Sequence, residues 1–333
     1  MNDKYEHLNG KKVLFFALSG YSKGICEQMR KLGLEVDYYN DKPDDGVITK
    51  TLGRLKVSFF EKVLENYYEG IILKNQEKTY DYILVIRGEY TPIKSLKLMK
   101  EKFSNAKLIL YMWDSVTNNK GIEKKWDCFD RVITFDRKDY LENKDTIEFR
   151  PLFYYEDYLP KCECDEAKYD IAFIGTGHGD RFTIVKSVEK ECEEKGLSCF
   201  TYMFLPHKLI FFYNKLFNPY FKGAKMRDFH YEQLPFETVY KVYSESKCVM
   251  DVESITQTGL TMRTIEMIGL HKKLITTNAD IENYDFYHAS NNEVVDRDDF
   301  RINKDFIKED YQELSRDIYE KYSLSGWIDD IIC

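Results

Sequence analysis

The feature that most constrains the fold is the regular alternation of short apolar segments with segments of helical spacing along the whole chain. Apolar runs of about four to eight residues, bounded by turn residues, are typical of strands that are buried on both faces. In the first half we predict strands at residues 11–18, 34–40, 80–88, 107–114, 131–136 and 147–152, and helices that end at Gly33 or cover about 52–73 and 93–103. Strands separated by helices imply right-handed crossovers, so this half is predicted to be a doubly wound parallel sheet.

The same alternation restarts after residue 168. The preceding segment, 154–168, is acidic and lacks periodicity, so it is interpreted as a linker. Further strands are predicted at 169–175, 197–204, 248–253 and 273–278, and helices at 182–195, 235–246, 262–270 and 304–322. The predicted fold class is therefore α/β, with two Rossmann-like doubly wound domains, 1–153 and 169–303, that face a central cleft at the carboxyl ends of their strands.

Composition excludes several classes of protein. Of the 333 residues 43% are hydrophobic, which is enough for large cores and too much for a disordered chain. The net charge of -8 gives no bulk attraction for nucleic acid, so no nucleic-acid partner is expected. The apolar stretch at 13–18 is too short for a signal sequence or a membrane span, which predicts a cytoplasmic protein. The eight cysteines lack the spacing of a zinc site, so no metal is expected.

A glycine-rich loop joins the first strand of the second half to the next helix. Its sequence is Gly175-Thr176-Gly177-His178-Gly179-Asp180-Arg181. Glycines there allow a ligand to approach the backbone closely, and the N–H groups at the start of a helix bind anions. The candidate contacts of a donor phosphate are therefore Gly175, Thr176, Gly177 and Arg181. The alternative is a tight strand–helix turn without a ligand.

The segment 250–278 carries the strongest functional signal. A strand that ends at Glu253 is followed by a polar loop and by a helix with Arg263 in its first turn. A cation at a helix N-terminus opposes the helix dipole, so Arg263 predicts a bound anion. The functional interpretation is a nucleotide site with Arg263 on phosphates and Glu266 on a ribose diol, and the alternative is a surface ion pair between these two residues. The loop candidates are Thr256, Gln257, Thr258 and Gly259.

Several of these motifs together resemble a known enzyme family. The segment RTIEMIGLHKKLITTN with the preceding QTGLT, the loop IAFIGTGHGDR, the strand end YMWDS and the segment IENYDFY are similar to those of bacterial GT-B glycosyltransferases from capsular and lipopolysaccharide gene clusters, the CgeB-like and group 1-like proteins. The resemblance implies a nucleotide-sugar donor on the second domain, Glu266 on the ribose, and a C-terminal helix within 304–333 that packs back on the first domain. The paired acidic motif of many retaining relatives is absent, since Thr258 stands eight positions before Glu266.

Two predicted strands of the first half end in polar residues at the edge where the cleft is expected. One delivers Arg87 and Glu89, and the next delivers Asp114. An inverting transferase needs a base that deprotonates the acceptor hydroxyl, and we assign this role first to Asp114 and second to Glu89. The alternative for Asp114 is an N-cap of the following turn. The predicted acceptor-side residues are Ser19, Gly20, Tyr21 and Arg87.

The stretch 207–227 is locally basic in an acidic chain. It contains five Lys or Arg residues, six aromatic residues and no acidic residue. One interpretation is a buried helix followed by a basic turn, because Phe and Leu at such spacing often fill cores. The other is an interfacial patch that docks on an anionic membrane surface or on a lipid-linked acceptor.

These observations predict a glycosyltransferase that moves a sugar from a nucleotide-sugar donor to a glycan or lipid-linked acceptor in bacterial surface polysaccharide biosynthesis. Since no D-x-D-like motif stands at a strand end, we expect N–H groups and cations to hold the donor diphosphate without a metal or another cofactor. Two alternatives stay open. One is another enzyme on the same scaffold, such as a nucleotide-sugar 2-epimerase or a pyruvyl transferase, and the other is a non-catalytic nucleotide- or sugar-binding protein.

Overall fold

The computed structural model describes residues 3–18, 20, 22–43, 57–156, 167–254 and 258–333. The chain divides into two compact units, one formed by Met1–Pro151 with Leu324–Cys333 and the other by Leu152–Ser323. Each unit is built on one parallel sheet with helices, so the predicted α/β class with two doubly wound sheets is confirmed. None of the helices in the described ranges is long and apolar enough to cross a membrane. The predictions that lie outside the described residues concern Ser19, Tyr21, Thr256, Gln257 and most of the linker.

The sheet of the first unit contains the strands β1 (Lys12–Ala17), β2 (Glu35–Asn40), β3 (Tyr82–Ile86), β4 (Lys107–Met112), β5 (Arg131–Thr134) and β6 (Glu148–Phe149). In the described part of the chain they pair in parallel in the order β2-β1-β3-β4-β5-β6. The central strands β1, β3 and β4 are buried along almost their whole length, as a sheet that is covered on both faces requires. Each observed strand lies within the apolar run that predicts it.

The connections between these strands contain the helices α1 (Ser22–Lys31), α2 (Val57–Lys74), α3 (Ile93–Lys102) and α4 (Arg137–Glu142). Each helix leads from one strand to the next parallel strand, which is the β-α-β arrangement that the alternating pattern predicts. In α1 the buried side chains of Ile25, Cys26 and Met29 share one face, since they follow helical spacing.

The sheet of the second unit contains the strands β7 (Tyr169–Thr176), β8 (Cys199–Phe204), β9 (Ser246–Asp251), β10 (Lys273–Thr276) and β11 (Asn292–Val294). They pair in parallel in the order β11-β10-β9-β7-β8. The helices of this unit are α5 (Arg181–Lys195), α6 (Lys208–Phe217), α7 (Phe236–Ser244), α8 (Met262–Gly269), α9 (Lys304–Lys308) and α10 (Arg316–Lys321). The edge strand β11 has only three residues and therefore gives no periodic signal in the sequence.

The closing helix predicted over 304–322 is in fact two short helices, α9 and α10. The ammonium group of Lys273 donates hydrogen bonds to the carbonyl oxygens of Phe306 and Glu309, so carbonyls at the end of α9 are satisfied without a further turn. A new N-cap then starts α10, where the hydroxyl of Ser315 accepts a backbone N–H.

The last helix, α11 (Leu324–Ile332), belongs to the first unit although it follows the second unit in sequence. It packs against α1 and β4. Trp327 of α11 is fully buried, and its ring centroid lies 4.8 Å from that of Tyr111 on β4. Arg131 on β5 adds a hydrogen bond of 3.0 Å to the carbonyl oxygen of Ile331.

Candidate functional site

Each sheet has a point at which the strand order reverses, and open α/β sheets bind ligands at the carboxyl ends of the strands there. In the first unit β1 lies between β2 and β3, and in the second unit β7 lies between β8 and β9. The predicted acceptor-side and catalytic residues follow β1, β3 and β4, and the predicted donor residues end β7 or follow β7 and β9. The predicted site residues that the structure describes therefore lie at or next to one of these two edges, which we call the first edge and the second edge.

A cavity of about 320 Å³ lies at the first edge. It is lined by residues at the carboxyl ends of β1, β3 and β4 and in the first turn of α1, namely Ala17, Leu18, Ser22, Ile25, Ile86, Arg87, Trp113 and Asp114. An aromatic ring, aliphatic side chains and a few convergent polar groups are the usual lining of a small-molecule site. The first unit also has a cavity of about 520 Å³ beside Lys12 and Glu35 at the starts of β1 and β2, which is the edge that parallel sheets do not use for binding.

The predicted catalytic residues lie together around one guanidinium group. Arg87 Nε is 2.8 Å from Asp114 Oδ2 in an ion pair without hydrogen-bond geometry, and Arg87 Nη2 donates a hydrogen bond of 3.0 Å to Glu89 Oε2. The side chains of Arg87, Asp114 and Glu89 are 30%, 35% and 38% exposed. A ligand in the cavity can therefore reach this cluster. The predicted acceptor-side residue Gly20, after β1, is also exposed.

The backbone at Arg87 adopts the left-handed conformation, which is rare for a residue with a side chain. Arg87 has a φ of 69° and Gly88 a φ of 66°. Asn119 donates a hydrogen bond to the carbonyl oxygen of Arg87, and the ammonium of Lys125 donates to those of Gly88 and Glu89. Burial lowers the pKa of Lys125 to about 8. Strain of this kind costs about 1–3 kcal/mol and is concentrated at functional sites.

Asp41, directly after β2, is a further acid at the first edge that sequence reasoning missed. Its side chain is fully buried, and neither carboxylate oxygen has a hydrogen-bond partner among the described residues. Burial raises the pKa of Asp41 to about 6, and the positive charge of Arg87 opposes this shift. The signal that could have found Asp41 is the one that found Asp114, an acid that follows a strand.

The second edge holds Arg263 in the interior, which corrects the expectation of an open phosphate contact. Its Nε donates to the hydroxyl of Tyr243 at 2.9 Å, its Nη1 donates to Asp251 at 3.0 Å, and its Nη2 donates to the carbonyl oxygen of Ile174. Burial alone would lower the pKa of Arg263, but Tyr243 and Asp251 hold it above its ordinary value. The side chain is 18% exposed, and the charge of Glu266 on the same helix also acts on it. The anion at this helix start is the protein's own Asp251.

Asp251 is the centre of this buried network. Its side chain is 2% exposed, and Oδ2 accepts hydrogen bonds from the hydroxyls of Thr261 at 2.5 Å and Thr264 at 3.0 Å. Thr261 is also the N-cap of α8, where its hydroxyl accepts the N–H of Thr264. The network therefore fixes the start of α8 against the end of β9, and with it the position of Glu266 on the same helix.

A second buried network at this edge is built on Arg297, which sequence reasoning missed. Its Nη1 donates to both carboxylate oxygens of Asp180 at 2.9 and 2.7 Å, and its Nη2 donates to Glu253 Oε1 at 2.5 Å. Glu253 also accepts a hydrogen bond of 2.6 Å from the hydroxyl of Thr277. Arg297 lies 117 positions after Asp180 in the chain, so no local spacing rule could connect them.

The glycine-rich loop makes its hydrogen bonds within the protein. The N–H groups of Gly177, His178 and Arg181 all donate to carbonyl oxygens of the chain. The guanidinium of Arg181 donates to the carbonyl oxygen of Val252 at 2.7 Å, and burial lowers the pKa of Arg181 to about 10. A Cβ atom at Gly177 would stand 2.6 Å from the ring of Phe229, so packing alone requires this glycine. The loop thus has the contacts of a tight strand–helix turn.

The remaining donor candidates lie at the same edge. Gly175 and Thr176 are the last residues of β7. Thr258 and Gly259 precede α8, and Glu266 is partly exposed on α8. The carbonyl oxygen of Thr258 accepts a hydrogen bond of 3.1 Å from the side chain of Asn278. The contacts of these residues with a nucleotide stay a prediction.

The described residues contain one group of side chains that could ligate a metal ion. The ligand atoms of His7, Asp329 and Cys333 lie within 4.8 Å of one another. His7 precedes β1, and the Cys333 thiol is close enough to Lys107 at the start of β4 for that charge to act on it. The group therefore lies at the amino-terminal edge of the first sheet, away from the 320 Å³ cavity. Metal independence of the predicted reaction stays a prediction.

Comparisons with known proteins establish the fold. No protein-family model and no curated protein sequence matches the chain. Among solved structures it is similar to a glycosyltransferase from Rickettsia africae ESF-5, with a TM-score of 0.60, 13% identity and coverage of 96% of this chain and 97% of that one. It is also similar to Anabaena HepE in complex with UDP-glucose, with a TM-score of 0.55, 11% identity and coverage of 96% and 98%. The UDP-GlcNAc 2-epimerase of Methanocaldococcus jannaschii gives a TM-score of 0.56, 11% identity and coverage of 96% and 99%. The chain thus has the two-domain α/β fold of GT-B proteins.

Proposed function

We propose that the chain is a glycosyltransferase that moves a sugar from a nucleotide-sugar donor to a glycan or lipid-linked acceptor in the assembly of a bacterial surface polysaccharide. Two independent lines support this proposal. The whole chain shares its fold with a glycosyltransferase and with HepE, whose structure holds UDP-glucose. At the level of residues, a carboxylate cluster adjoins a cavity at the first edge.

One observation carries the proposal: the Asp114 carboxylate lines the 320 Å³ cavity and is paired with Arg87. In glycosyl transfer the acceptor hydroxyl loses a proton as its oxygen attacks the anomeric carbon, and a positioned carboxylate can accept that proton. We assign this role to Asp114. Arg87 orients the carboxylate, because the backbone and the ion pairs on both sides hold the guanidinium in one place. Glu89, on the same guanidinium, is the second candidate base.

The acceptor sugar binds in the cavity at the first edge in this proposal. The ring of Trp113 forms an apolar wall of the cavity, against which the apolar face of a sugar ring can pack. Ser22 and the pair Arg87–Asp114 supply polar contacts for hydroxyl groups from the same lining.

The donor binds at the second edge, with Thr258, Gly259 and Glu266 as candidate contacts and Glu266 on the ribose. The buried networks of Arg263 and Arg297 support this site by fixing the start of α8 and the loop after β9. The N–H groups at the N-terminus of α8 are the candidate stabilisers of the leaving diphosphate, without a metal ion.

A thermal-shift screen with UDP-, GDP-, dTDP- and CMP-sugars tests the proposal, followed by a transfer assay with the nucleotide that binds. A ligand that binds only the folded state at a hundred times its Kd adds about 2.7 kcal/mol of stability. We expect one nucleotide class to raise Tm and Glu266→Gln to reduce that rise, whereas Glu194→Gln, at an exposed position of α5, should leave it unchanged. If none of these donors raises Tm, the proposal is wrong.

A nucleotide-sugar 2-epimerase is the second candidate, favoured by the likeness to the Methanocaldococcus enzyme. Epimerisation needs acid and base groups around one sugar ring and no acceptor. His178 at the second edge suits such a role as a neutral imidazole, because burial and the charge of Arg181 lower its pKa. UDP-GlcNAc incubated without acceptor and followed by NMR separates the two functions. Conversion to its 2-epimer that His178→Ala abolishes would favour the epimerase.

A further inference from the structure

Helix α6 turns an apolar face toward solvent. Five of its residues follow the spacing i, i+3, i+4, i+7 and i+8, which places them on one side of a helix and in most proteins faces the core. Their side chains are Leu209 (69% exposed), Phe212 (56%), Tyr213 (64%), Leu216 (76%) and Phe217 (66%). We call them the apolar stripe. The interpretation of this segment as a buried helix is therefore wrong, and contiguous exposed apolar surface of this kind marks an interaction site.

The opposite side of α6 holds the helix in this orientation. Phe211, the buried residue of α6, packs its ring against that of Phe229 with 5.8 Å between centroids. Asn218, just after the helix, donates a hydrogen bond of 2.9 Å to a carbonyl oxygen of the glycine-rich loop. Lys215 donates one of 2.7 Å to the carbonyl oxygen of Ala224. Because these contacts anchor the inner side, the helix presents the apolar stripe in a defined position.

The segment that carries the apolar stripe is basic. The segment 207–227 has five cations and no acid, in a chain whose net charge is -8. Lys208, Lys222, Lys225 and Arg227 are exposed, whereas Lys215 is engaged with the backbone. An apolar helix face flanked by exposed cations is typical of helices that lie in the interface of an anionic bilayer.

We infer that residues 207–227 dock the protein on an anionic lipid surface. The apolar stripe enters the boundary between headgroups and acyl chains, and the exposed cations meet the headgroup phosphates. A second copy of the chain fits this face less well, because two such faces would bring cations against cations with no acid between them. This inference rests on the features of α6 and does not depend on the proposed glycosyltransferase activity. If both hold, a lipid-linked acceptor is presented at the surface on which the enzyme lies.

Cosedimentation of the full chain with vesicles tests the inference. Vesicles of phosphatidylcholine are compared with vesicles that also contain phosphatidylglycerol, at low and at high salt. We expect binding to the anionic vesicles at low salt, weaker binding at high salt because charge is screened, and little binding to phosphatidylcholine alone. Equal binding to both compositions, or none to either, would overturn the inference.

Two sets of variants separate the apolar and the ionic contribution. The triple variant Leu209→Gln, Leu216→Gln, Phe217→Gln should lower the partition coefficient on anionic vesicles at least about tenfold at both salt concentrations. The triple variant Lys222→Glu, Lys225→Glu, Arg227→Glu should lower it about tenfold at low salt and much less at high salt. Wild-type binding by either variant contradicts the docking.

Matched controls change the same chemistry elsewhere on the surface. Leu73→Gln with Leu141→Gln removes exposed apolar side chains of the first unit, and Lys23→Glu with Lys241→Glu reverses exposed charges. Both controls should bind vesicles as the wild type does, and all variants should keep the wild-type Tm because every changed side chain is exposed. If a control loses as much binding as the stripe variant, the effect is not local and the inference fails. A dimer that the stripe variant abolishes, together with no vesicle binding, would assign the apolar stripe to a second copy. The donor-induced rise in Tm should be the same in all variants, which separates this test from that of the transferase.

Discussion

The two sheet edges share a topology and differ in how their arginines are engaged. At the first edge Arg87 stays partly exposed beside a cavity, between two carboxylates that are exposed to a similar extent. At the second edge every guanidinium nitrogen of Arg263 donates to a protein acceptor, and its carboxylate partner Asp251 is buried. An arginine at the carboxyl edge of a parallel sheet can thus stabilise the fold or remain available for chemistry. Its role depends on whether acceptors within the protein already take the hydrogen bonds of its guanidinium group.

The largest expected effect is on turnover at the first edge. Asp114→Asn should lower kcat about 10²–10⁴-fold, because the amide cannot accept the proton of the acceptor hydroxyl. Donor affinity measured by calorimetry should stay nearly unchanged. Asp145→Asn, at an exposed position of the same unit, serves as the control and should have wild-type kcat. A wild-type rate in Asp114→Asn would leave Asp114 a structural role and make Glu89 the next residue to test.

Substitution of Arg263 at the second edge should lower the stability of the protein. Arg263→Met leaves the buried carboxylate of Asp251 without its cation, so we expect the free energy of unfolding in urea to fall by about 3–5 kcal/mol. Arg87→Met should lower it by no more than about 1 kcal/mol, because its partners are partly solvated. Adding Asp251→Asn to Arg263→Met should recover part of the loss, since the unpaired charge is then gone. Equal losses of unfolding free energy in Arg87→Met and Arg263→Met would contradict the proposed difference between the two edges.

A smaller effect should appear in the pH dependence of stability at the first edge. The pKa of Asp41 is raised to about 6 from an ordinary value of 3.8, so the folded state holds this proton more tightly than the unfolded chain does. The resulting stabilisation is complete below the ordinary pKa and is lost as the pH rises through about 6, a total change of about 3 kcal/mol. Asp41→Asn does not titrate. Its unfolding free energy relative to wild type should therefore rise by about 2 kcal/mol between about pH 4 and pH 7.

Asp139 and Glu293 also have raised pKa values. Their contributions to the pH dependence cancel in the difference between variant and wild type, because both proteins contain these groups. A flat difference in Asp41→Asn would mean that folding does not raise the pKa of Asp41.

The smallest expected effect is that of a chelator. In this proposal N–H groups of the chain stabilise the leaving diphosphate, so EDTA should leave kcat within about twofold of its untreated value. A loss of activity that Mg²⁺ or Mn²⁺ restores would place a metal on the donor diphosphate and contradict the proposed stabilisation of the leaving group.

The sequence predicts those parts of the molecule that depend on local periodicity and strand ends. Apolar runs gave both parallel sheets, because strands that are buried on both faces have few polar residues. The cluster of Arg87, Glu89 and Asp114 was also predictable. Residues that follow neighbouring parallel strands lie at the same edge of the sheet, whatever conformation the connecting loops adopt.

Long-range pairing and the direction of a helix face were not predictable. The helix-dipole argument correctly required an anion beside Arg263, but the sequence could not show that β9 brings Asp251 there. Arg297 and Asp180 form an ion pair although more than a hundred residues separate them in the sequence, and no local spacing rule predicts such a contact. In α6 the periodic pattern shows that an apolar face exists, and only the packing of Phe211 shows that this face points outward.

Parallel measurement of kcat at saturating donor and of unfolding free energy for Arg87→Met and Arg263→Met tests most directly whether Arg87 acts in the chemistry and Arg263 stabilises the fold. We predict that Arg87→Met lowers kcat at least about tenfold with nearly wild-type stability. Arg263→Met should lose about 3–5 kcal/mol of stability while its folded fraction turns over at close to the wild-type rate. The opposite pattern, with catalysis lost in fully folded Arg263→Met and kept in Arg87→Met, would contradict this assignment.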